Sequence, residues 1–328
     1  MNVHAGAVTS RQAKSRPRAR QFDTPFCTEV LAGLADQPKH IPPKYFYDER
    51  GSELFEAITA LPEYYPTRTE IGILRDNAAA IARYCPPNTA LVEFGAGSST
   101  KARIVMQAAG NVSAYVPVDI SADFLAREAA LFERDLPHVA IHPVAGDFTE
   151  DVALPRGIAG QPRVGFFPGS TIGNFEPHEA ARFLHHAASL LGAGATLIVG
   201  VDLVKEAEVL RAAYNDSAGV TAAFNLNLLH RMQNELGAEV DIGAFRHCAF
   251  FNRERSRIEM HLASCVAQSI RACGKTFDFR RGETIHTENS YKYTVDSFRA
   301  LAAGAGWRAV EMWSDAQHWF SVHALTRD

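Results

Sequence analysis

Between Asn88 and Leu203 the sequence alternates short apolar runs with helical segments, and this rhythm constrains the fold more than any other feature. The runs read TALVEFG (89–95), SAYVPVD (113–119), HVAIHPVAGD (138–147), RVGFFPG (163–169) and ATLIVGVDL (195–203), and helices are expected from Thr100, Ala122 and Pro177. β-Branched runs separated by helices require right-handed crossovers, which build a parallel sheet covered on both faces. The fold class expected is therefore α/β, a doubly wound, Rossmann-like core.

The rhythm breaks after Leu203. Helical sequence around 209–236 leads into strand-like HCAFFN (247–252) and RIEMHLASCVAQSI (257–270), joined at a charged turn from Arg253 to Ser256. In the second run Ile258, Met260 and Leu262 alternate with Glu259 and His261, the pattern of a half-covered antiparallel strand. A second, α+β region is thus inserted. The chain then returns to a helix (295–306) and to WRAVEMWSD and HWFSVHAL, expected as an antiparallel C-terminal hairpin on the otherwise parallel sheet.

With 328 residues and 47% hydrophobic content the chain can bury a large core. Its net charge of -4 argues against a general nucleic-acid binder and for small-molecule chemistry. No apolar run approaches the roughly 20 residues that span a bilayer, and no secretory signal follows the start. Five cysteines, scattered and without C-x-x-C spacing, fit a reduced cytoplasm. Residues 1–24, basic and interrupted by Pro17, read as a solvated tail, although some organelle transit peptides share that composition.

Glu93-Phe94-Gly95-Ala96-Gly97-Ser98-Ser99-Thr100-Lys101 places a glycine turn between a buried strand and a helix. Such a turn allows close backbone approach to a ligand, and the helix start offers unpaired N–H groups to an anionic group. A lone G-x-G is weak evidence, because many such turns carry one only to make the bend. Two further groups end successive strands, where open α/β sheets bind ligands: Asp119, able to accept from both ribose hydroxyls, and Asp147-Phe148, able to bracket an adenine. A dinucleotide site is the rival, but Thr100 stands where its third glycine belongs. The short G-x-G with an acid two residues ahead looks more like the S-adenosylmethionine-binding methyltransferase pattern.

PPKYFYDERGSELFEAIT (42–59), LPEYYPTRTE (61–70), GSTIGN (169–174), DLVKEAEVLRAAYNDSAGVTAAFN (202–225) and RIEM (257–260), taken together, resemble the histidine N-alpha-methyltransferases of ergothioneine biosynthesis. The likeness covers nearly the whole chain after the tail. It implies a class I methyltransferase core (67–204 and 291–328) and a substrate-binding domain (25–66 and 205–290). The implied reaction methylates the α-amine of L-histidine up to the trimethylated betaine, hercynine. The resemblance implies S-adenosylmethionine contacts at Tyr47, Gly95, Lys101, Asp119, Asp147 and Phe148. It implies histidine contacts at Tyr64, Asn174, Tyr214, Met260, Glu288 and Ser290, with Tyr64 and Asn174 at the reacting amine.

These residue types suit the chemistry. An α-amine is largely protonated at neutrality and must be neutral to attack a sulfonium methyl. The Asn174 amide can donate to the substrate carboxylate while its oxygen accepts from the amine, though a turn or cap role explains an asparagine here equally. Tyr214 can donate to the same carboxylate or pack on a helix. An aromatic face at Tyr64 would attract a growing methylammonium. Glu288 and Ser290 can bond the two imidazole nitrogens beside a Met260 wall, or Glu288 is a solvated strand carboxylate. The thirteen histidines form no H-E-x-x-H and no G-x-S-x-G is present, so neither a metal nor a hydrolase is expected. Rival readings are a methyltransferase for tryptophan or tyrosine and a non-catalytic S-adenosylmethionine sensor. A monomer is expected.

Overall fold

The computed structural model describes residues 24–97 and 100–327. Almost all of the expected tail lies outside the described residues. The N-terminal segment forms α1 (Pro25–Ala35), α2 (Glu49–Thr59), α3 (Tyr65–Asp76) and α4 (Ala78–Ala82). The alternating part follows as β1 (Thr89–Phe94), α5 (Thr100–Ala109), β2 (Val112–Asp119), α6 (Ala122–Asp135), β3 (Ala140–Ile141), β4 (Val144–Ala145), β5 (Arg163–Phe167), α7 (Pro177–Leu191) and β6 (Thr196–Asp202). The insertion comprises α8 (Ala207–Ala213), α9 (Val220–Leu236), β7 (Phe245–Asn252), β8 (Arg257–Ser264), β9 (Gln268–Ala272), β10 (Lys275–Phe279) and β11 (Thr284–Tyr291). Helix α10 (Val295–Gly304) and the hairpin β12 (Arg308–Ser314) and β13 (Phe320–Thr326) end the chain.

One large sheet runs β12-β13-β6-β5-β1-β2-β3, with β4 also on β2; every pairing from β6 to β3 is parallel, and β13 and β12 are antiparallel. This is the expected doubly wound, Rossmann-like core with its antiparallel C-terminal hairpin. Strands β1 and β6 are buried along their whole length, as sheet centres covered by helices must be. The chain passes outward from β1 through β2 to β3, then returns to the other side of β1 at β5. That reversal leaves a crevice beyond the carboxyl ends of β1 and β5, where ligands bind in open α/β sheets.

Two expected strands differ in detail. The 138–147 run yields only the two-residue β3 and β4, because Pro143 between them has no N–H for the ladder. The 257–270 run splits into β8 and β9, and the outer face of β8 is covered rather than solvated. Glu259 is buried there, with Arg257, Asn252 and His261 as partners.

The apolar side chains form three clusters. Two flank the large sheet, and one joins residues of the 26–65 segment to residues of the insertion, such as Phe46 against Phe224 with ring centroids 4.5 Å apart. Residues 39–41 also hydrogen-bond to the edge of β11, through Ile41 N to His286 O at 3.0 Å and His286 N to Lys39 O at 2.9 Å. Cys27 in α1 is bonded to Cys273 between β9 and β10, a pairing that the scattered cysteine spacing does not predict.

Candidate active site

The crevice opens into a cavity of about 790 Å³ bounded by β-strand ends below and by the 42–67 segment above. That volume is in the range of small-molecule sites. Tyr47, Tyr64, Gly95, Lys101, Asp119, Asp147, Phe148, Asn174, Tyr214, Glu288 and Ser290 all line it. Met260 does not. It lies opposite Glu288 in the β8–β11 ladder but is buried in the apolar cluster beneath, so the expected wall beside an imidazole is at most a layer behind the cavity surface.

At one end the strand ends of β1 and β2 present backbone and carboxylates. Gly95 has φ +69°, and a Cβ there would sit 3.3 Å from the Phe148 ring, so the turn needs glycine for both conformation and space. Phe148 packs edge-on against Phe167, Phe175 and Phe183, which fixes its ring at the cavity wall. Burial pushes Asp119 up to about 6, against the lowering effect of backbone bonds from Ser121 and Ile120. Asp147 is half-buried, bonded to Thr149 and 3.6 Å from Lys44. Burial also pushes Glu93 up to about 8, although a short bond from Tyr115 and the charge of Lys101 oppose it.

Lys101 does not stand alone. Its ammonium lies 2.6 Å from Glu70 of α3, a fully buried carboxylate that also accepts from the Gly169 N–H at 2.8 Å. Glu70 reaches this position only because Gly200 faces it, where a Cβ would come within 2.0 Å of its oxygen. The next residue, Ser170, has φ +57°, a conformation rare outside glycine, and its Oγ accepts from the Asp202 N–H at 2.9 Å. This held turn delivers Asn174 from a one-turn helix, residues 171–174, to the cavity wall.

At the other end side chains dominate. Tyr64 is edge-on to Phe55 and Tyr214, with centroids 6.3 Å and 6.2 Å apart, and Tyr47 is edge-on to Phe55 and Phe224. Burial raises the Tyr47, Tyr64 and Tyr214 phenols well above their ordinary range, so all three stay neutral. Burial pushes Glu288 up to about 7, an effect that Lys292 partly reverses. Asn289 points away from Glu288 and Ser290, donating to Glu176 at 3.2 Å. Tyr214 OH donates to Ser290 Oγ at 2.7 Å rather than standing free on a helix surface.

Sequence reasoning missed the ionic network behind these hydroxyls. Asp202, fully buried at the end of β6, accepts from Tyr65 OH at 2.7 Å, Lys205 Nζ at 2.5 Å and Lys292 Nζ at 2.7 Å. Burial acts to raise Asp202, but the two lysines outweigh it and hold its carboxyl below the ordinary range. An acid closing a fully apolar strand is the same signal that singled out Asp119. Lys205 and Lys292 carried none, since their burial depends on contacts across the fold.

Glu259, His261 and His286 also gather, with candidate ligand atoms within 4.8 Å of one another. They lie on the opposite face of the β7–β8–β11 sheet from Glu288: Glu259 and His261 flank Met260, the partner of Glu288, and a bulge between His286 and Glu288 turns those two β11 residues to opposite faces. Burial acts to raise Glu259, but bonds from Arg257, His261 and Asn252 hold it down at about 2, and the two imidazoles stack 18° from parallel. Their lone pairs therefore run alongside rather than converge.

The chain matches the family described as histidine-specific, S-adenosylmethionine-dependent methyltransferases over residues 26–327. It is 43% identical to the histidine N-alpha-methyltransferase of Mycobacterium tuberculosis, over 88% of this chain and 90% of that protein. It is 42% identical to the protein of the same name from Mycolicibacterium smegmatis, over 91% and 94%. Ergothioneine biosynthesis protein 1 of Neurospora crassa is 30% identical over 89% of this chain, which spans 34% of that longer protein. A doubly wound core with a cavity at its strand ends agrees with that match, and the chain belongs to the S-adenosylmethionine-dependent, histidine-specific methyltransferase family.

Proposed function

We propose that this chain transfers methyl groups from S-adenosylmethionine to the α-amine of L-histidine, up to the trimethylated betaine hercynine, the first step of ergothioneine biosynthesis. The observation that carries the reading is one continuous cavity with the Gly95 turn and the Asp119 carboxylate at one end and a Glu288–Ser290 pair at the other. The family match supports the same substrate. The cavity is completed within one chain, which supports action as a monomer.

The residues present suit the cofactor. Gly95 would admit close backbone approach, Asp119 would offer carboxylate oxygens to ribose hydroxyls, Phe148 would offer a ring face or edge, and Lys101 would meet the methionine carboxylate. Tyr47 bridges the two ends. When bound, the cofactor supplies an electrophilic methyl on a sulfonium.

The protein's part is binding, orientation and exclusion of water. The Asn174 amide N–H donates to the substrate carboxylate and its oxygen accepts an amine N–H, directing the nitrogen lone pair toward the methyl donor, while Tyr214, its hydroxyl hydrogen committed to Ser290, lines the cavity beside the ring. Burial among Tyr47, Phe55, Tyr64 and Tyr214 favours the neutral amine, since a desolvated ammonium loses hydration. The Tyr64 ring attracts the methylammonium that forms. Segments 25–66 and 205–290 form the substrate-binding unit, and 67–204 with 291–328 form the methyltransferase core. Glu288 and Ser290 recognise the ring; an apolar ring would leave both unpaired, a penalty that separates histidine from most other amino acids.

Purified protein mixed with S-adenosylmethionine and each standard amino acid, with products read by mass spectrometry, tests the reading. Trimethylated histidine alone is expected. Methylation of tryptophan or tyrosine instead would overturn the ring assignment, and cofactor binding without any product would favour the sensor.

A further inference from the structure

Behind the cavity wall Lys292 is 3% exposed and has a task that neither the strand nor the large sheet requires of it. It follows β11 where the chain is stitched to the end of β6, through Tyr293 N to Asp202 O at 3.1 Å. Its Nζ has three partners: Asp202 Oδ2 at 2.7 Å, Ser290 Oγ at 2.7 Å and Tyr214 OH at 3.2 Å. A lysine ammonium has three hydrogens and no lone pair, so both hydroxyl oxygens must accept from it. Tyr214 OH in turn donates to Ser290 Oγ at 2.7 Å. Ser290 Oγ then accepts twice, both its lone pairs are used, and its own hydrogen is left for the cavity that Ser290 lines.

A purely structural ion pair is the simpler account of Lys292, but Asp202 already has Lys205 on its other oxygen at 2.5 Å. Charge balance at Asp202 therefore does not need a second lysine. The polarity of the two hydroxyls does.

Building on the histidine reading above, we infer that Lys292 is a positioning residue that makes Ser290 an obligate hydrogen donor. With ionised Glu288 as the acceptor, the pocket then takes a ring carrying one acceptor nitrogen and one N–H, a neutral azole in a single tautomer. A pyrrole-type ring, with N–H and no acceptor, leaves the Ser290 hydrogen unpaired. A doubly protonated imidazolium confronts it with another donor.

The test compares kcat/KM for histidine and for pyrrolylalanine in the wild type and in Lys292→Met. The wild type is expected to prefer histidine by about 100-fold or more. In Lys292→Met that preference falls at least about tenfold, mainly through a higher KM for histidine, while calorimetric affinity for S-adenosylhomocysteine is unchanged. An unchanged preference in a variant that binds S-adenosylhomocysteine normally overturns the inference. Should Lys292→Met fail to fold, ¹⁵N NMR of ring-labelled histidine bound to the wild type with S-adenosylhomocysteine decides. One protonated and one unprotonated ring nitrogen are expected, and an imidazolium or a tautomer mixture overturns the inference. A wild type that neither binds nor methylates histidine refutes the functional reading itself, an outcome distinct from histidine turnover with unchanged selectivity.

Discussion

The two ends of the cavity are built differently. At the β1–β2 end, where we propose that the cofactor binds, the wall is backbone and strand ends: a left-handed glycine, a carboxylate ending a strand, and a ring held by its own aromatic cluster. At the β11 end, where we propose that the substrate binds, the wall is made of side chains from separate parts of the chain, Tyr64, Tyr214, Glu288 and Ser290, set against a buried ionic network on Asp202. A cofactor shared by many enzymes needs only a strand–turn–helix. A particular ring needs several side chains aimed together, and aiming them requires a supporting layer.

The contrast predicts separable failures. Asn174→Ala, between the two ends, should lower kcat/KM for histidine by about 100- to 1,000-fold, the scale for losing a positioned polar group at a reacting centre, with cofactor affinity little changed. Steady-state kinetics with parallel calorimetry checks both halves, and equal losses in both would blur the distinction between the ends. Asp202→Asn leaves Lys205 and Lys292 buried with a neutral partner. It should cost about 3–5 kcal/mol of stability by urea unfolding, whereas a mere surface effect would argue that the network is dispensable.

Gly95→Ala places a Cβ near Phe148 in a left-handed conformation that costs about 1–2 kcal/mol. It should weaken S-adenosylhomocysteine binding about tenfold or more, with cofactor-saturated turnover largely kept. Glu288 supplies a pH test. Its buried carboxyl, raised to about 7, is neutral below that value and an acceptor above it. Histidine affinity in the wild type should therefore rise as pH increases through about 7, and Glu288→Gln should lose that limb while cofactor affinity stays the same. The smallest effect belongs to Arg83→Ala at the exposed pair with Glu311, under about 1 kcal/mol by the same unfolding assay.

The same division explains what was legible in the sequence. The parallel core was readable from β-branched runs and glycine turns, because both signals are local. The failures there were local too: Pro143 interrupts the third strand, and the run after Arg257 breaks before Gln268. The proposed cofactor end is legible from strand-end position. The substrate end was reached by resemblance, since Glu288 alone reads as a solvated carboxylate and Tyr214 as helix packing. Lys292, Lys205 and Glu70 were invisible because their burial is set by contacts between distant segments, as when Glu70 of α3 meets Gly169 and Lys101. Met260 pairs with Glu288 in the ladder, yet its side chain is packed in the apolar cluster, a depth that no local motif encodes.

The most direct test of one cavity joining two differently built ends is a crystal structure with S-adenosylhomocysteine and histidine bound together. Ribose oxygens at Asp119, the amine beside Asn174 and Tyr64 and facing the sulfur, and the imidazole between Glu288 and Ser290 are the expected result. Histidine bound with its ring away from Glu288 and Ser290, or its amine turned from the sulfur, would contradict it.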